Sequence, residues 1–136
     1  MRKGETVMEM QISFPGGKRV HSHYKGFTVE TDQPQSEGGD GSGPEPFDLL
    51  LASIGTCAGV YIVYFCESRD IPTKDIRLSL NFQRNENNHL LRKIEMVIQL
   101  PPDFPDKYRK AVIRSAEMCT VKRTLANPPE IVVRAE

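Results

Sequence analysis

The chain has 136 residues, enough for one domain with a modest core. Its 18 lysines and arginines balance 18 aspartates and glutamates, so no bulk field draws it to nucleic acid or an anionic membrane. Three cysteines, an odd number, argue against a secreted disulfide framework and suit a reducing cytoplasm. "MRKGETVMEMQISF" carries neither the apolar stretch nor the small-residue cleavage site of a signal peptide.

Met8, Met10, Ile12 and Phe14 alternate within Val7 to Phe14, which predicts a half-buried strand. "PGG" signals a hairpin turn, a second strand runs from Arg19 to Tyr24, "KG" turns, and Phe27 to Thr31 makes a third strand. Asp32 to Pro46 is polar and rich in Gly and Pro. Its length points to a mobile or functional loop.

A helix is expected from near Pro46, a residue tolerated in the first turn, with Asp48 favoured there by the helix dipole. It stops before "RDIP". Its run of Phe47 to Cys66 is almost continuously apolar and approaches the length of a membrane span. Asp48, Ser53 and Thr56 interrupt it, so it reads as a core helix of a soluble protein. A helix apolar all round must be surrounded, and one small sheet covers one side, so a second subunit is expected. The "GTCAG" step has the small-xxx-small spacing of close helix packing.

Two further strands follow, Asp75 to Phe82 and Ile94 to Leu100, joined by "RNENNH". "PPDFPD" opens a second helix that puts Tyr108, Ala111, Val112, Ser115 and Cys119 on one buried stripe. "ANPP" breaks it before a closing strand, Glu130 to Arg134. The order βββ-α-ββ-α-β defines a single α+β domain over residues 1–136, with a long buried central helix.

Cys57 and Cys66 are nine residues apart on the predicted central helix. That is roughly 900° of turn and about 13 Å of rise, beyond the reach of a disulfide, and Cys66 reads as a buried structural thiol. Cys57 or Cys66 with Cys119 remain open as pairs. Cys57 lies too deep in its helix for that helix's dipole to activate it, so a reactive thiolate there needs a nearby cation. Arg19, on one strand face with His21 and His23, is the best candidate. Lys122 and Arg123 follow Cys119 by three and four residues, so on a helix they could flank its sulfur, and otherwise they read as a solvated face. Tyr61 and Tyr64 share the face of Cys57 and read as core or as the lining of a pocket beside its sulfur. No CxxC or HxxxH spacing suggests a metal.

"GSGPEPFDLLLASIGTCAGVYIVYFCESRDIP" together with "AEMCTVKRTLANPPEIVV" resembles the OsmC/Ohr family, relatives of osmotically induced and organic hydroperoxide resistance proteins. The resemblance covers both cysteine segments in order, 62 residues apart. It implies an intertwined α+β homodimer that reduces organic hydroperoxides and protects against oxidative stress. Cys57 would be peroxidatic and Cys119 resolving, with an external dithiol, lipoyl or thioredoxin-like, as reductant and no bound cofactor.

The family's activating pair is an arginine from the first strands, matched by Arg19, and a glutamate ten residues before the first cysteine, where this chain has Phe47. Asp48 stands one residue later and Glu45 two earlier; Asp48 matches the acidic residue of a less characterised OsmC-like branch. The implied catalytic set is Cys57, Cys119, Arg19 and Asp48, with Glu45, Phe47 and Tyr61 at the substrate pocket. The alternative is a dimer of the same fold that binds a small apolar or reactive ligand without peroxidase chemistry.

Overall fold

The computed structural model describes Gly4 and residues 8–136. Its contacts divide the chain into two compact units, one up to Leu50 and one over Leu51–Glu136.

The first unit is an antiparallel sheet of β1 (Gln11–Gly16), β2 (Arg19–Tyr24) and β3 (Phe27–Thr31), in chain order. Lys25 and Gly26 both take positive φ, 53° and 80°, which is the two-residue turn whose twist matches that of the flanking strands. β1 starts later than its alternation predicts: Met8 and Met10 lie outside the strand, and Val7 lies outside the described residues. The expected half-buried face is not buried within this chain, where Phe14 is 80% exposed.

The polar connection after β3 is folded around one side chain. Asp32, 1% exposed, accepts from the backbone N–H of Gln33, Asp40 and Ser42 and from the Ser42 hydroxyl at 2.7 Å. These bonds, led by the two from Ser42, hold its carboxyl far below the usual carboxylate range despite burial. Gly39 is needed here, because a Cβ would lie 2.0 Å from the Gln33 carbonyl oxygen. The expectation of a mobile loop is therefore corrected: a buried carboxylate supplies the anchor that apolar side chains do not.

The next element, α1 (Pro46–Glu67), begins with a reciprocal cap. The Asp48 carboxylate accepts from Glu45 N–H at 2.9 Å, and Asp48 N–H donates back to the Glu45 carbonyl at 3.0 Å. At its far end Asp70 takes a left-handed φ of 55° and Ile71 N–H bonds back to the Cys66 carbonyl. The helix ends there, ahead of Pro72.

In the second unit, β4 (Arg77–Arg84) and β5 (Leu91–Gln99) form an antiparallel pair. Leu51, Ile54, Ala58, Ile62 and Cys66 make the buried stripe of α1, at helical spacing. Ala58, Ile62 and Cys66 join Phe104, Val112, Ala116 and Cys119 in one core, against which Leu78, Met96 and Ile98 pack. The small residues of "GTCAG" serve a helix–sheet approach: a Cβ on Gly55 would stand 3.0 Å from Leu80 Cδ1. α1 is long and apolar enough to pass as a membrane span by length and composition, while Ala58, Ile62 and Cys66 pack into the core of this unit. Its role in this unit is that of a core helix.

Two expectations fail at the carboxyl end. The single second helix is two, α2 (Arg109–Glu117), preceded by a 3-10 turn at Asp106–Tyr108, and α3 (Thr120–Ala126). Cys119, with extended backbone (φ −55°, ψ 135°), separates them and caps α3, its sulfur accepting from Lys122 N–H at 3.3 Å. Cys119 therefore sits at a helix start and not along a helical stripe. Glu130 to Arg134 forms no strand among the described residues; Ile131 and Val133 are 83% and 92% exposed, and a strand needs a neighbour to bond with.

Candidate active site

The break between α2 and α3 turns a helix start toward α1. Cys57, half-buried, packs against the core that holds Cys119, and its thiolate is favoured by the backbone N–H of Val121, the Cys119 thiol, the N–H of Thr120 and the charge of Arg123. The Val121 N–H contributes most. Together they lower the pKa of Cys57 below that of a free thiol, against the opposing effect of burial.

Cys119 is fully buried in the core against which Cys57 packs, it favours the Cys57 thiolate, and both are free thiols. Cys66 has the opposite environment: burial pushes its thiol up, only partly countered by the Arg69 charge. Of the pairings open from sequence, the fold brings together Cys57 and Cys119.

Tyr61, one turn after Cys57, places its hydroxyl 3.0 Å from Thr120 Oγ1, so one bond ties α1 to the first residue of α3. Tyr61 and Tyr64 meet edge to face, with ring centroids 6.1 Å apart. Nearby, a cavity of about 400 Å³ is lined by Ile54, Ile94, Met96, Ile98, Ile113 and Leu125, with Lys93, Glu95, Glu117, Lys122 and Ala116 completing its wall. Ile54 precedes Cys57 by three residues, and Ala116 and Lys122 bracket Cys119.

The remaining residues singled out from sequence lie in the first unit. Arg19 pairs with Asp40 at 2.7 Å and donates to the Ser42 hydroxyl at 3.3 Å. Asp48 and Glu45 form the cap of α1, and Phe47 follows in its first turn. His23 bridges Ser13 and Thr28 across the sheet, at 2.9 and 3.1 Å. The cation whose charge acts on Cys57 is Arg123, which the sequence reading left on a solvated face. Thr120 and Val121 were missed altogether, because a backbone N–H has no sequence signature until the helix break at Cys119 aims it.

The OsmC-like protein family matches residues 39–134. The chain belongs to that family. No curated protein matches it by sequence. Among solved structures it is similar to a Psychrobacter arcticus protein named for an osmotic-stress-induced detoxification response, with a TM-score of 0.75 and 18% identity over 90% of this chain and 91% of the other. An OsmC-like protein of Mycoplasma pneumoniae gives 0.70 and 14%, over 91% and 90%. The organic hydroperoxide resistance protein OhrB of Bacillus subtilis gives 0.54 and 17%, over 90% and 94%. At these identities the likeness establishes a shared α+β fold.

Proposed function

We propose that this protein is a two-cysteine thiol peroxidase that reduces organic hydroperoxides in the cytoplasm. The observation that carries the proposal is the Cys57 sulfur itself. It packs against the core that holds Cys119, and its ionisation is favoured by the backbone N–H of Val121 first, then by the Cys119 thiol and the Thr120 N–H. The thiolate is the nucleophile in this chemistry.

In the first step the Cys57 thiolate attacks the outer oxygen of the hydroperoxide. The S–O bond forms as the O–O bond breaks, and the alkoxide leaves as the alcohol after taking a proton. Sulfur has given up two electrons and become a sulfenic acid. In the second step the Cys119 sulfur attacks the Cys57 sulfur and expels hydroxide, which leaves as water with the Cys119 proton, and the disulfide closes. An external dithiol, lipoyl or thioredoxin-like, then reduces the disulfide by two thiol–disulfide exchanges and departs oxidised. No bound cofactor is required.

The cavity has an apolar floor of Ile54, Ile94, Met96, Ile98, Ile113 and Leu125, and its wall includes neighbours of both cysteines in sequence. It favours an organic substituent over hydrogen peroxide, since burying its apolar surface is favourable. Membership of a family that includes hydroperoxide resistance proteins supports the same reading. Steady-state turnover of cumene hydroperoxide with a dithiol donor tests it: activity lost in Cys57→Ser is expected, and an inactive wild type contradicts the proposal. The same cavity supports the second reading, a binding protein for a small apolar ligand, which is what remains in that event.

The working unit in this proposal is a homodimer. Tyr64 is 61% exposed on the outer side of α1, as are Phe14 on β1 and the Ile131–Val133 tail. Exposed apolar side chains on each of these elements support a partner surface, because a second subunit would cover what the single chain leaves open. Sedimentation at micromolar concentration is expected to give twice the chain mass, and a monomer would refute the assignment.

A further inference from the structure

We propose that Tyr61 is a positioning residue for the resolving cysteine: through its hydrogen bond to Thr120 it latches the start of α3 over the Cys119 sulfur. The inference rests on Cys119 being the partner of Cys57. Tyr61 stands one turn after Cys57 on α1, and its hydroxyl lies 3.0 Å from Thr120 Oγ1. Thr120 directly follows Cys119 and is the first residue of α3. One bond therefore joins the two cysteine segments, a helical turn from Cys57 and a single residue from Cys119. The Arg123 guanidinium reaches the same hydroxyl at 3.5 Å, but Arg123 belongs to α3 and cannot tie that helix to another element.

The tether matters because α3 is short and shallow. It has seven residues, fewer than a helix needs to persist alone. None of them is fully buried; Val121 packs partly against the core, and the rest are exposed. Cys119 is nonetheless fully buried. The first turn of α3 closes on it, with Lys122 N–H donating to Cys119 Sγ at 3.3 Å and Arg123 N–H to the Cys119 carbonyl at 3.0 Å. A helix held this lightly opens locally at low cost, and opening α3 frees the Cys119 thiol. Cys66 is the internal reference, because it is equally buried in the same core but lies on α1, a helix of 22 residues.

The test is the rate at which iodoacetamide alkylates Cys119 and Cys66, resolved by peptide mass in a Cys57→Ser background so that Cys57 is not modified first. The sulfur bonds to the acetamide carbon as iodide leaves, and the thiol proton goes to buffer. Tyr61→Phe keeps the ring and its edge-to-face contact with Tyr64 but loses the hydroxyl. It is expected to speed Cys119 alkylation by about 2- to 10-fold, the range of one hydrogen bond, with Cys66 unchanged. Thr120→Val does the same, Thr120→Ser stays near the background rate, and the double variant Tyr61→Phe/Thr120→Val is no faster than either single. An unchanged Cys119 rate in Tyr61→Phe overturns the inference. So do single effects that multiply in the double variant, or a Cys66 rate that rises in step, because the whole core would then have loosened. Hydroperoxide turnover measured with Cys57 intact separates the two claims. A wild type without turnover sinks the peroxidase reading while the Cys119 rates still decide the role of Tyr61. Unchanged Cys119 rates with turnover intact sink the latch alone.

Discussion

Thr120→Pro removes one of the backbone N–H groups that favour the Cys57 thiolate and leaves the helix that carries it. The position is suited to proline. Thr120 is the first residue of α3, where proline's fixed φ is already helical and no intrahelical bond is lost. Cys119, the residue before it, has φ −55° and ψ 135°, the extended backbone that proline demands of its predecessor. Hydrogen bonds to charged groups are worth about 1.5 kcal/mol at the low end, and about 1.4 kcal/mol is a tenfold change in ionised fraction. Cys57 is only half-buried and Thr120 contributes less than Val121, so water recovers part of this. Alkylation of Cys57 at neutral pH is expected to slow by about 3- to 10-fold. Thr120→Val, which keeps the N–H and loses the hydroxyl, separates the backbone bond from the contacts to Tyr61 and Arg123. The assay is the iodoacetamide rate at Cys57 against pH, with circular dichroism and Tm confirming the fold. A Thr120→Pro protein of unchanged Tm and unchanged alkylation profile would refute the claim that the start of α3 activates Cys57.

The Asp32 loop yields a further prediction. Gly39→Ala places a methyl carbon 2.0 Å from a backbone oxygen, so the loop must open, and a fall in Tm is expected well beyond that of an ordinary surface substitution; an unchanged Tm would refute the loop's structural role. The folded pKa of Asp32 is lowered, so its stabilisation is fully present above the ordinary carboxylate range and is lost as pH falls through the folded value. Asp32→Asn should therefore be less stable than wild type at neutral pH, with the gap closing in acid; a gap independent of pH would show that charge is not what holds the loop. Deleting residues 130–136, which carry the exposed Ile131 and Val133, is expected to weaken the dimer in sedimentation, and an unchanged association constant would exclude the tail from that interface.

Much of the fold was legible in the sequence because periodicity and turn chemistry agree locally. β2 and β3 lie where alternation and "KG" place them, and α1 runs from Pro46 to Glu67. Cys66 was readable as a buried thiol from its helical phase, and it is buried. The site was legible in its sulfurs but not in what surrounds them. Cys57 was judged against the dipole of its own helix, whereas the N–H groups that act on it come from α3. That helix was hidden because periodicity runs on through Met118 and Cys119, and only the extended backbone at Cys119 reveals the break. The closing strand fails for a different reason. "EIVVR" has strand character, but a strand is a pairing, and no pairing partner for it appears among the described residues.

The central claim is that Cys57 and Cys119 form one redox pair, and intact mass after a stoichiometric dose of cumene hydroperoxide tests it most directly. The wild type should lose two hydrogens and two free thiols, with the disulfide mapped to Cys57 and Cys119. The Cys119→Ser protein should gain one oxygen, trapped on Cys57 as sulfenic acid. An unchanged mass in both proteins, or oxidation confined to Cys66, would contradict the account.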